Sequence, residues 1–281
     1  RSRAVSDLAG TVAWVAGAAR PPGIGRATAI QLARLGADIA CVDVVDDMAA
    51  PEQSYRVPRA ALEETAAAVR AEGRRALVLP VELADPEAVD AAVTATVDAL
   101  GRVDISCNLS GGTGPALGTS TLLDVTPESF RDALDANLTA TWLGARACAR
   151  QMIVQGGSGA IVNLASSAAL AGEPRFGAFA AARAGVVRLT EVLALELAEH
   201  GIRANAVCPL GVSPNQGAGN PGLTQGRGRS GGDADDWARR AIPLGRFQEP
   251  EETASVIVFL ASGESSFVTG QSITVAGGVH V

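Results

Sequence analysis

Residues Thr11–Gly25 read TVAWVAGAARPPGIG, an apolar run that passes directly into a turn rich in glycine and proline. The run Thr11–Gly17 is typical of a buried strand, and Gly25–Gly36 has apolar residues at helical spacing. Glycines between a strand and a helix let the backbone approach a pyrophosphate, which lies on the helix amino terminus. The stretch therefore predicts a dinucleotide-binding β-α unit, although the same glycines could serve only to make a tight turn.

The same alternation of apolar runs and helical periods continues along the chain. Further strands are predicted at Ala37–Asp43, Ala76–Leu83, Val103–Leu109, Ala160–Ala165 and Ile202–Cys208. Helices are predicted at Ala60–Glu72, Pro86–Leu100, Pro127–Gln155 and Phe176–His200. Near-continuous apolar strands that alternate with helices favour a parallel sheet covered on both faces. We expect a single α/β domain over residues 1–281, a Rossmann-like doubly wound parallel sheet with helices on both faces.

Two segments interrupt this alternation. Asp46–Arg59 is a polar insertion after the second predicted strand. Gly211–Asp236 is rich in Gly, Asn and Ser and leaves the carboxyl end of a predicted strand, where ligands bind in such sheets. We interpret the second segment as a mobile lid-like loop; the alternative is a disordered excursion without a role.

Composition limits the function classes. The chain has 281 residues, of which 47% are hydrophobic and 19% charged, and its net charge is −7. This balance excludes a disordered chain and argues against nucleic acid or an anionic membrane as partner. No apolar run reaches membrane-spanning length and the amino terminus does not resemble a signal peptide, so a cytoplasmic protein is expected.

Cysteine and histidine usage points away from a metal site. The four cysteines are scattered without a Cys-x2-Cys pair, and there are only two histidines. We therefore expect buried reduced thiols and no bound metal.

Asp43 ends the second predicted strand, where an acidic side chain can accept hydrogen bonds from an adenosine ribose. A carboxylate there favours NAD over NADP, because it repels a 2′-phosphate. Arg20, in the glycine-rich turn, mildly favours NADP instead.

Beyond the turn, a series of ordered motifs resembles the short-chain dehydrogenase/reductase family over nearly the whole chain. Asn108-Leu-Ser110-Gly111 is similar to the family's Asn-Asn-Ala-Gly, and Asn137 matches a helix asparagine of its proton relay. The remaining matches are Gly159–Ser167, Gly201–Pro209, Pro243–Phe247, Thr269–Gln271 and Gly277-Gly278. Five residues separate Gly17 from Gly23, which resembles the longer loop of the family's enoyl-reductase branch.

The resemblance implies two sets of site residues. The expected cofactor-binding residues are Gly17, Arg20, Gly23, Ile24, Gly25, Asp43, Glu82, Leu83, Asn108, Ser110, Gly111, Arg183 and Pro209. The candidate catalytic positions are Ser166, Phe179, Arg183 and Asn137. The implied cofactor is NAD(H), with NADP less favoured.

The catalytic motif departs from the family pattern. The family uses Ser, Tyr thirteen residues later and Lys four after that; in this chain those positions hold Ser166, Phe179 and Arg183. The enoyl-reductase spacing places Phe176 instead, so neither frame supplies a tyrosine. A phenyl ring has no proton to donate, and an arginine stays protonated, so it cannot shuttle protons as the lysine does.

Two further departures concern the nicotinamide end. The family's Pro-Gly after the sixth strand is Pro209-Leu210, and the threonine that usually holds the carboxamide falls at Pro214. The adenosine-side features of the family are kept, whereas the nicotinamide-side features are changed.

Few other residues could carry the proton chemistry. The single tyrosine, Tyr55, lies in the polar insertion on the adenosine side, and His200 and His280 lie near a helix end and the carboxyl terminus. Glu173 and Arg175 follow the serine strand and are the best local polar candidates.

Three functions stay open. The first is an atypical NAD-dependent oxidoreductase acting on an alcohol or ketone. The second is a catalytically silent subunit that pairs with an active homologue in a mixed oligomer. The third is a non-redox cyclase, lyase or isomerase on the same fold, which needs no nucleotide. The resemblance implies a small-molecule substrate and association as a homodimer or homotetramer through Pro127–Gln155 and Phe176–His200.

Overall fold

A computed structural model of the protein describes residues 7–20, 22–46, 56–210, 212 and 234–279. Its strands are β1 (Val12–Ala16), β2 (Asp38–Asp43), β3 (Ala76–Pro80), β4 (Ile105–Asn108), β5 (Gly159–Leu164), β6 (Ile202–Pro209) and β7 (Ser272–Val275). They form one sheet in the order β3-β2-β1-β4-β5-β6-β7, with every neighbouring pair parallel. The chain reverses its direction of travel between β1 and β4, so the carboxyl edge of these two strands is the expected ligand crevice.

The helices of the described residues are α1 (Ile24–Arg34), α2 (Arg59–Ala71), α3 (Pro86–Leu100), α4 (Pro127–Leu134), α5 (Ala140–Val154), α6 (Gly177–Leu197), α7 (Ala234–Ala241) and α8 (Pro250–Ala261). Leu32, Leu62 and Ile257 place α1, α2 and α8 on one face of the sheet. Helices α3, α5 and α6 cover the other face, where Trp14 and Leu143 are buried. The predicted doubly wound α/β fold is confirmed, and the buried strands explain the near-continuous apolar runs.

Several predicted boundaries were wrong. Pro127–Gln155 is not one regular helix, because a π-helical turn at Asp135–Thr139 separates α4 from α5. The third strand ends at Pro80 rather than Leu83. The carboxyl-terminal strand β7 and the helices α7 and α8 were not predicted as elements.

The two irregular segments lie partly outside the described residues. At the base of the polar insertion, Val45 pairs with Val57, and residues 47–55 are not among those described. The predicted loop 211–236 was too long at its end, since α7 already begins at Ala234. Apart from residue 212, the segment 211–233 is not described, so its lid-like role stays a prediction.

Candidate functional site

The glycine-rich turn joins β1 to α1 and is packed tightly against the next strand. A Cβ atom on Gly25 would overlap the carbonyl oxygen of Gly17, and one on Gly17 would lie 2.7 Å from the Ser110 nitrogen. Helix α1 begins at Ile24 after Gly23, which offers no side-chain cap, and its first turn carries no acidic residue. The first N–H groups of α1 are therefore available to an anion, as a pyrophosphate requires.

Asp43, the last residue of β2, is buried beside this turn. Its Oδ2 accepts a hydrogen bond from the Ala19 nitrogen and its Oδ1 one from the Val44 nitrogen, both at 2.9 Å. Burial raises the pKa of Asp43 to about 6, although the two N–H donors and the nearby Arg20 act in the opposite direction. These bonds therefore fix the Asp43 carboxylate beside the glycine-rich turn, where it is expected to accept hydrogen bonds from the ribose.

A small cavity lies between the ends of β3 and β4. Glu82, Leu83, Ser110 and Gly111 line it together, so the structure brings these predicted cofactor-binding residues to one place. Glu82 also forms a 2.6 Å ion pair with Arg56, which lies near the end of the polar insertion. Arg56 was not predicted as a site residue, because no local sequence pattern indicates a partner 26 residues away.

The segment after β4 is fixed by Asn137 from the π-helical turn. The side-chain amide of Asn137 donates to the Gly112 carbonyl oxygen, and its Oδ1 accepts from the Gly112 nitrogen, both at 3.0 Å. The backbone carbonyl of Asn137 accepts from the Thr141 hydroxyl at 3.1 Å. Asn137 is therefore buried and fully engaged in holding the loop.

Asn108 belongs to a buried polar chain under the same edge. Its Nδ2 donates to Asn163 Oδ1 at 2.9 Å, and Asn163 Nδ2 donates to the Thr190 hydroxyl at 3.0 Å. These bonds join β4, β5 and α6 inside the protein, so Asn108 supports the site from below.

Arg183 projects from α6 into the gap between the ends of β4 and β5. Its Nη2 donates to the Ser110 carbonyl oxygen at 3.1 Å, and its Nη1 donates to the Leu164 carbonyl oxygen. The residue is only 3% exposed, and burial lowers the pKa of its guanidinium to about 10. Arg183 therefore remains a cation at neutral pH and ties two strand ends together.

Gly111 occupies the narrow space beside Arg183. A Cβ atom at this position would overlap Asn137 Oδ1 and lie 2.7 Å from Arg183 Nη2. Only a glycine allows the backbone to pass between these two side chains.

Phe179 lies one helical turn before Arg183. The centroid of its ring is 5.4 Å from the guanidinium carbon of Arg183, and Phe176 contacts the ring edge-on at 6.3 Å between centroids. Position 179 thus presents an aromatic surface and no exchangeable proton.

Ser166 follows β5 at the same edge. Its Oγ accepts from the Ala168 nitrogen at 3.2 Å, and its backbone nitrogen donates to the sulfur of Cys208. The serine is half-buried. Because its Oγ only accepts in the bond from Ala168, that bond leaves the hydroxyl hydrogen available to donate. Pro209, the last residue of β6, is buried one position beyond Cys208.

The structure describes only some of the remaining candidate residues. Tyr55, Pro214 and His280 lie outside the described residues, whereas His200 is exposed in a turn after α6. Arg175 has a φ of 73°, a left-handed conformation uncommon for arginine. All four cysteines are free and buried, as expected, and no cluster of metal-ligating side chains occurs among the described residues.

The described residues fit a dinucleotide cofactor. Gly17 and Gly25 let the turn pack closely onto neighbouring backbone, and the buried Ser110 hydroxyl has no hydrogen-bond partner in the described structure. Such an unpaired buried hydroxyl is uncommon and suits a site completed by a bound polar group.

Fold and site together define a protein built to bind a dinucleotide at the carboxyl edge of a doubly wound sheet. The chain belongs to the short-chain dehydrogenase/reductase family: a family model described as enoyl-(acyl carrier protein) reductase matches residues 17–280.

Curated relatives span the same length. An uncharacterized NAD-dependent oxidoreductase of Mycobacterium tuberculosis is 34% identical, over 97% of this chain and 96% of the relative. The 2,5-dichloro-2,5-cyclohexadiene-1,4-diol dehydrogenase of Sphingobium indicum is 35% identical, over 98% of each chain.

Solved structures agree with the fold. Carveol dehydrogenase from Mycobacterium avium, in complex with NAD, superposes with a TM-score of 0.87 at 33% identity, over 97% of this chain and 98% of that one. In the part of the chain that the structure describes, no helix is long and apolar enough to span a membrane.

Proposed function

We propose that this protein binds NAD(H) and acts as an atypical oxidoreductase on an alcohol or ketone. The observation that carries the proposal is the unbroken line of contacts along the carboxyl edge. The backbone of Gly17 lies against that of Ser110. Gly111, the next residue after Ser110, lies against the side chains of Asn137 and Arg183. The adenosine side and the nicotinamide side of the expected crevice are therefore parts of one packed surface.

Each side of the crevice has a separate task. The amino end of α1 would hold the pyrophosphate, and Asp43 would accept hydrogen bonds from the adenosine ribose. Glu82 and Leu83 border the cavity beside it, while Ser110, Gly111 and Arg183 form the floor at the other end. When bound, NAD(H) supplies a hydride acceptor or donor.

The altered residues change the proton chemistry rather than the binding. The Ser166 hydroxyl can orient a substrate oxygen, but Phe179 cannot exchange a proton with it. Loss of a general acid or base costs about 10²–10⁴-fold in rate. We therefore infer slow turnover in which water exchanges the substrate proton.

Relatives support the redox assignment. Carveol dehydrogenase and the dichlorocyclohexadienediol dehydrogenase are named for alcohol substrates, and the first was crystallised with NAD. By this likeness we propose a small-molecule alcohol or ketone as substrate and NAD(H) rather than NADP(H) as cofactor.

We further propose that the protein is a homo-oligomer. Helices α5 and α6 expose the apolar side chains of Trp142, Val192 and Leu195, the last of them 81% exposed. Burial of such side chains against a second copy is the ordinary explanation of an apolar helix face. The single-domain boundaries and the cytoplasmic location stay predictions.

A second candidate rests on Phe179 and Arg183. A subunit that has lost its proton donor while keeping the fold can serve as a silent partner of an active homologue. In that case co-purification from the native source recovers a tyrosine-bearing homologue, and the isolated chain shows no turnover.

Calorimetric titration with NADH, and with NADPH as control, tests the main proposal. We expect saturable NADH binding and much weaker NADPH binding, followed by turnover in a panel of alcohols and ketones. Absence of binding by either nucleotide would contradict both the redox function and the assigned crevice.

A further inference from the structure

The buried cation of Arg183 has no anionic partner in the described part of the chain. Two backbone carbonyl oxygens and the Phe179 ring are its contacts, and its Nε has no hydrogen-bond partner there. A buried charge is normally compensated by an opposite charge, so this arrangement is unusual.

The other groups that face the guanidinium are uncharged near neutral pH. Burial raises the pKa of the Cys208 thiol to about 11, so it stays protonated. Ser110 and Asn137 are neutral, and Phe179 cannot ionise as a tyrosine could. The described floor of the site therefore carries a net charge of one positive unit from Arg183.

The position of this charge relative to the cofactor follows from the fold. Asp43 on β2 marks the adenosine side, and the crevice opens between β1 and β4. The nicotinamide half must then lie over β4 and β5, whose ends Arg183 joins. This step rests on the proposed function.

We propose that Arg183 makes the site bind NADH more tightly than NAD⁺. The oxidised nicotinamide ring is a cation and the reduced ring is neutral, so a fixed buried cation disfavours only the oxidised form. Coulomb attraction and repulsion are weakly screened in such a place, and a preference on the order of tenfold is expected. A tenfold preference raises the potential of the bound two-electron couple by about 30 mV.

The test compares dissociation constants for NADH and NAD⁺ by calorimetry, with no substrate present. The wild-type protein should show a constant for NAD⁺ at least about tenfold larger than that for NADH. Arg183→Gln should remove most of this ratio, whereas Arg183→Lys, which keeps the charge, should retain it. Arg188→Gln is the matched control, since Arg188 lies on the same helix with a side chain 76% exposed.

Phe179→Glu leaves Arg183 in place and adds a carboxylate beside it, so it remains informative if Arg183→Gln does not fold. We expect the NAD⁺/NADH ratio to fall about tenfold in this variant. Binding of ADP-ribose, which has no nicotinamide, shows whether each variant still holds the rest of the cofactor.

The possible outcomes separate the two proposals. Equal affinity of the wild type for NADH and NAD⁺, or a ratio unchanged in Phe179→Glu, overturns the role of Arg183 and leaves cofactor binding intact. Failure of NADH, NAD⁺ and ADP-ribose to bind overturns the proposed function and this inference with it.

Discussion

The guanidinium carbon of Arg183 lies 5.4 Å from the centre of the Phe179 ring, one helical turn away on α6. The negative face of an aromatic ring stabilises a nearby cation, more so when both are removed from water. Arg183 is buried and Phe179 is half-buried, so this contact is largely shielded from water. The two side chains are therefore best understood as one unit.

Restoring both family residues should restore proton transfer. We expect the double variant Phe179→Tyr/Arg183→Lys to reduce ketones about 10²–10⁴-fold faster than the wild type. NADH consumption with a panel of ketones measures the gain. A double variant that binds NADH without any gain would indicate that other nicotinamide-side changes, such as Leu210, prevent productive binding.

Removal of the Phe179 ring should affect stability more than chemistry. Because the ring carries no proton, Phe179→Ala should keep the wild-type rate within a few-fold. The lost packing and cation contact should lower the free energy of unfolding by about 3 kcal/mol or less, since the ring is only half-buried. Urea unfolding and steady-state rates on one preparation give both values; a large rate loss in a stable variant would assign Phe179 a direct catalytic role.

Gly25 should be intolerant of any side chain. A Cβ atom there meets the Gly17 carbonyl, so Gly25→Ala must displace the turn and should abolish NADH binding. Gly157→Ala is the control, since an added Cβ meets only the Arg102 Nη2 at 3.8 Å. Calorimetry on both variants decides the point, and normal affinity in Gly25→Ala would place the pyrophosphate elsewhere.

Cofactor affinity should depend on pH through Asp43. Only the ionised carboxylate accepts ribose hydrogen bonds without donating, and its pKa in the folded protein is about 6. NADH should therefore bind about tenfold more weakly at pH 5 than at pH 7. Asp43→Asn should remove this dependence, whereas an unchanged pH profile in that variant would point to another group.

The raised pKa of Asp43 has the opposite effect on stability: the free energy of unfolding falls as the pH rises, whereas NADH affinity increases. The folded-state pKa of Asp43 lies above the ordinary value of 3.8, so between about pH 4 and pH 6 the folded protein holds a proton that the unfolded chain has released. The contribution of this group to the free energy of unfolding is present below that window and falls as the pH rises through it. Urea titrations of wild type and Asp43→Asn across the window would show the difference.

The α5–α6 face should determine the assembly. Leu195→Lys places a charge on an 81% exposed apolar position and should shift the protein to a smaller species in sedimentation velocity. Leu244→Lys, at a 70% exposed leucine outside those helices, should leave the distribution unchanged. The same sedimentation profile for Leu195→Lys and wild type would argue against this face as the interface.

Much of the architecture was readable from local patterns. Apolar runs predicted β1 to β6: most of these strands are buried along nearly their whole length, and the half-buried β3 is apolar throughout. The short strand β7 gave no such signal, since its four residues Ser-Ile-Thr-Val alternate between polar and apolar. The π-helical turn was equally invisible, because one extra residue hardly disturbs an apolar period.

Sequence patterns indicated candidate site residues but not their contacts. The glycine turn, Asp43 and Arg183 were proposed from spacing and resemblance. No local pattern could show that Arg183 binds the carbonyls of Ser110 and Leu164, which lie 73 and 19 residues away along the chain. The pair of Glu82 with Arg56 was unpredictable for the same reason.

The π-helical turn at Asp135–Thr139 sets the directions in which the side chains of the following helix α5 point. Removing one residue there would produce a continuous α-helix and rotate α5 by about 100° about its axis. Asn137 would then leave Gly112, and Trp142 would turn away from its present face. The one extra residue of the π-helical turn therefore sets both the orientation of Asn137 toward Gly112 and the orientation of the expected subunit-contact face.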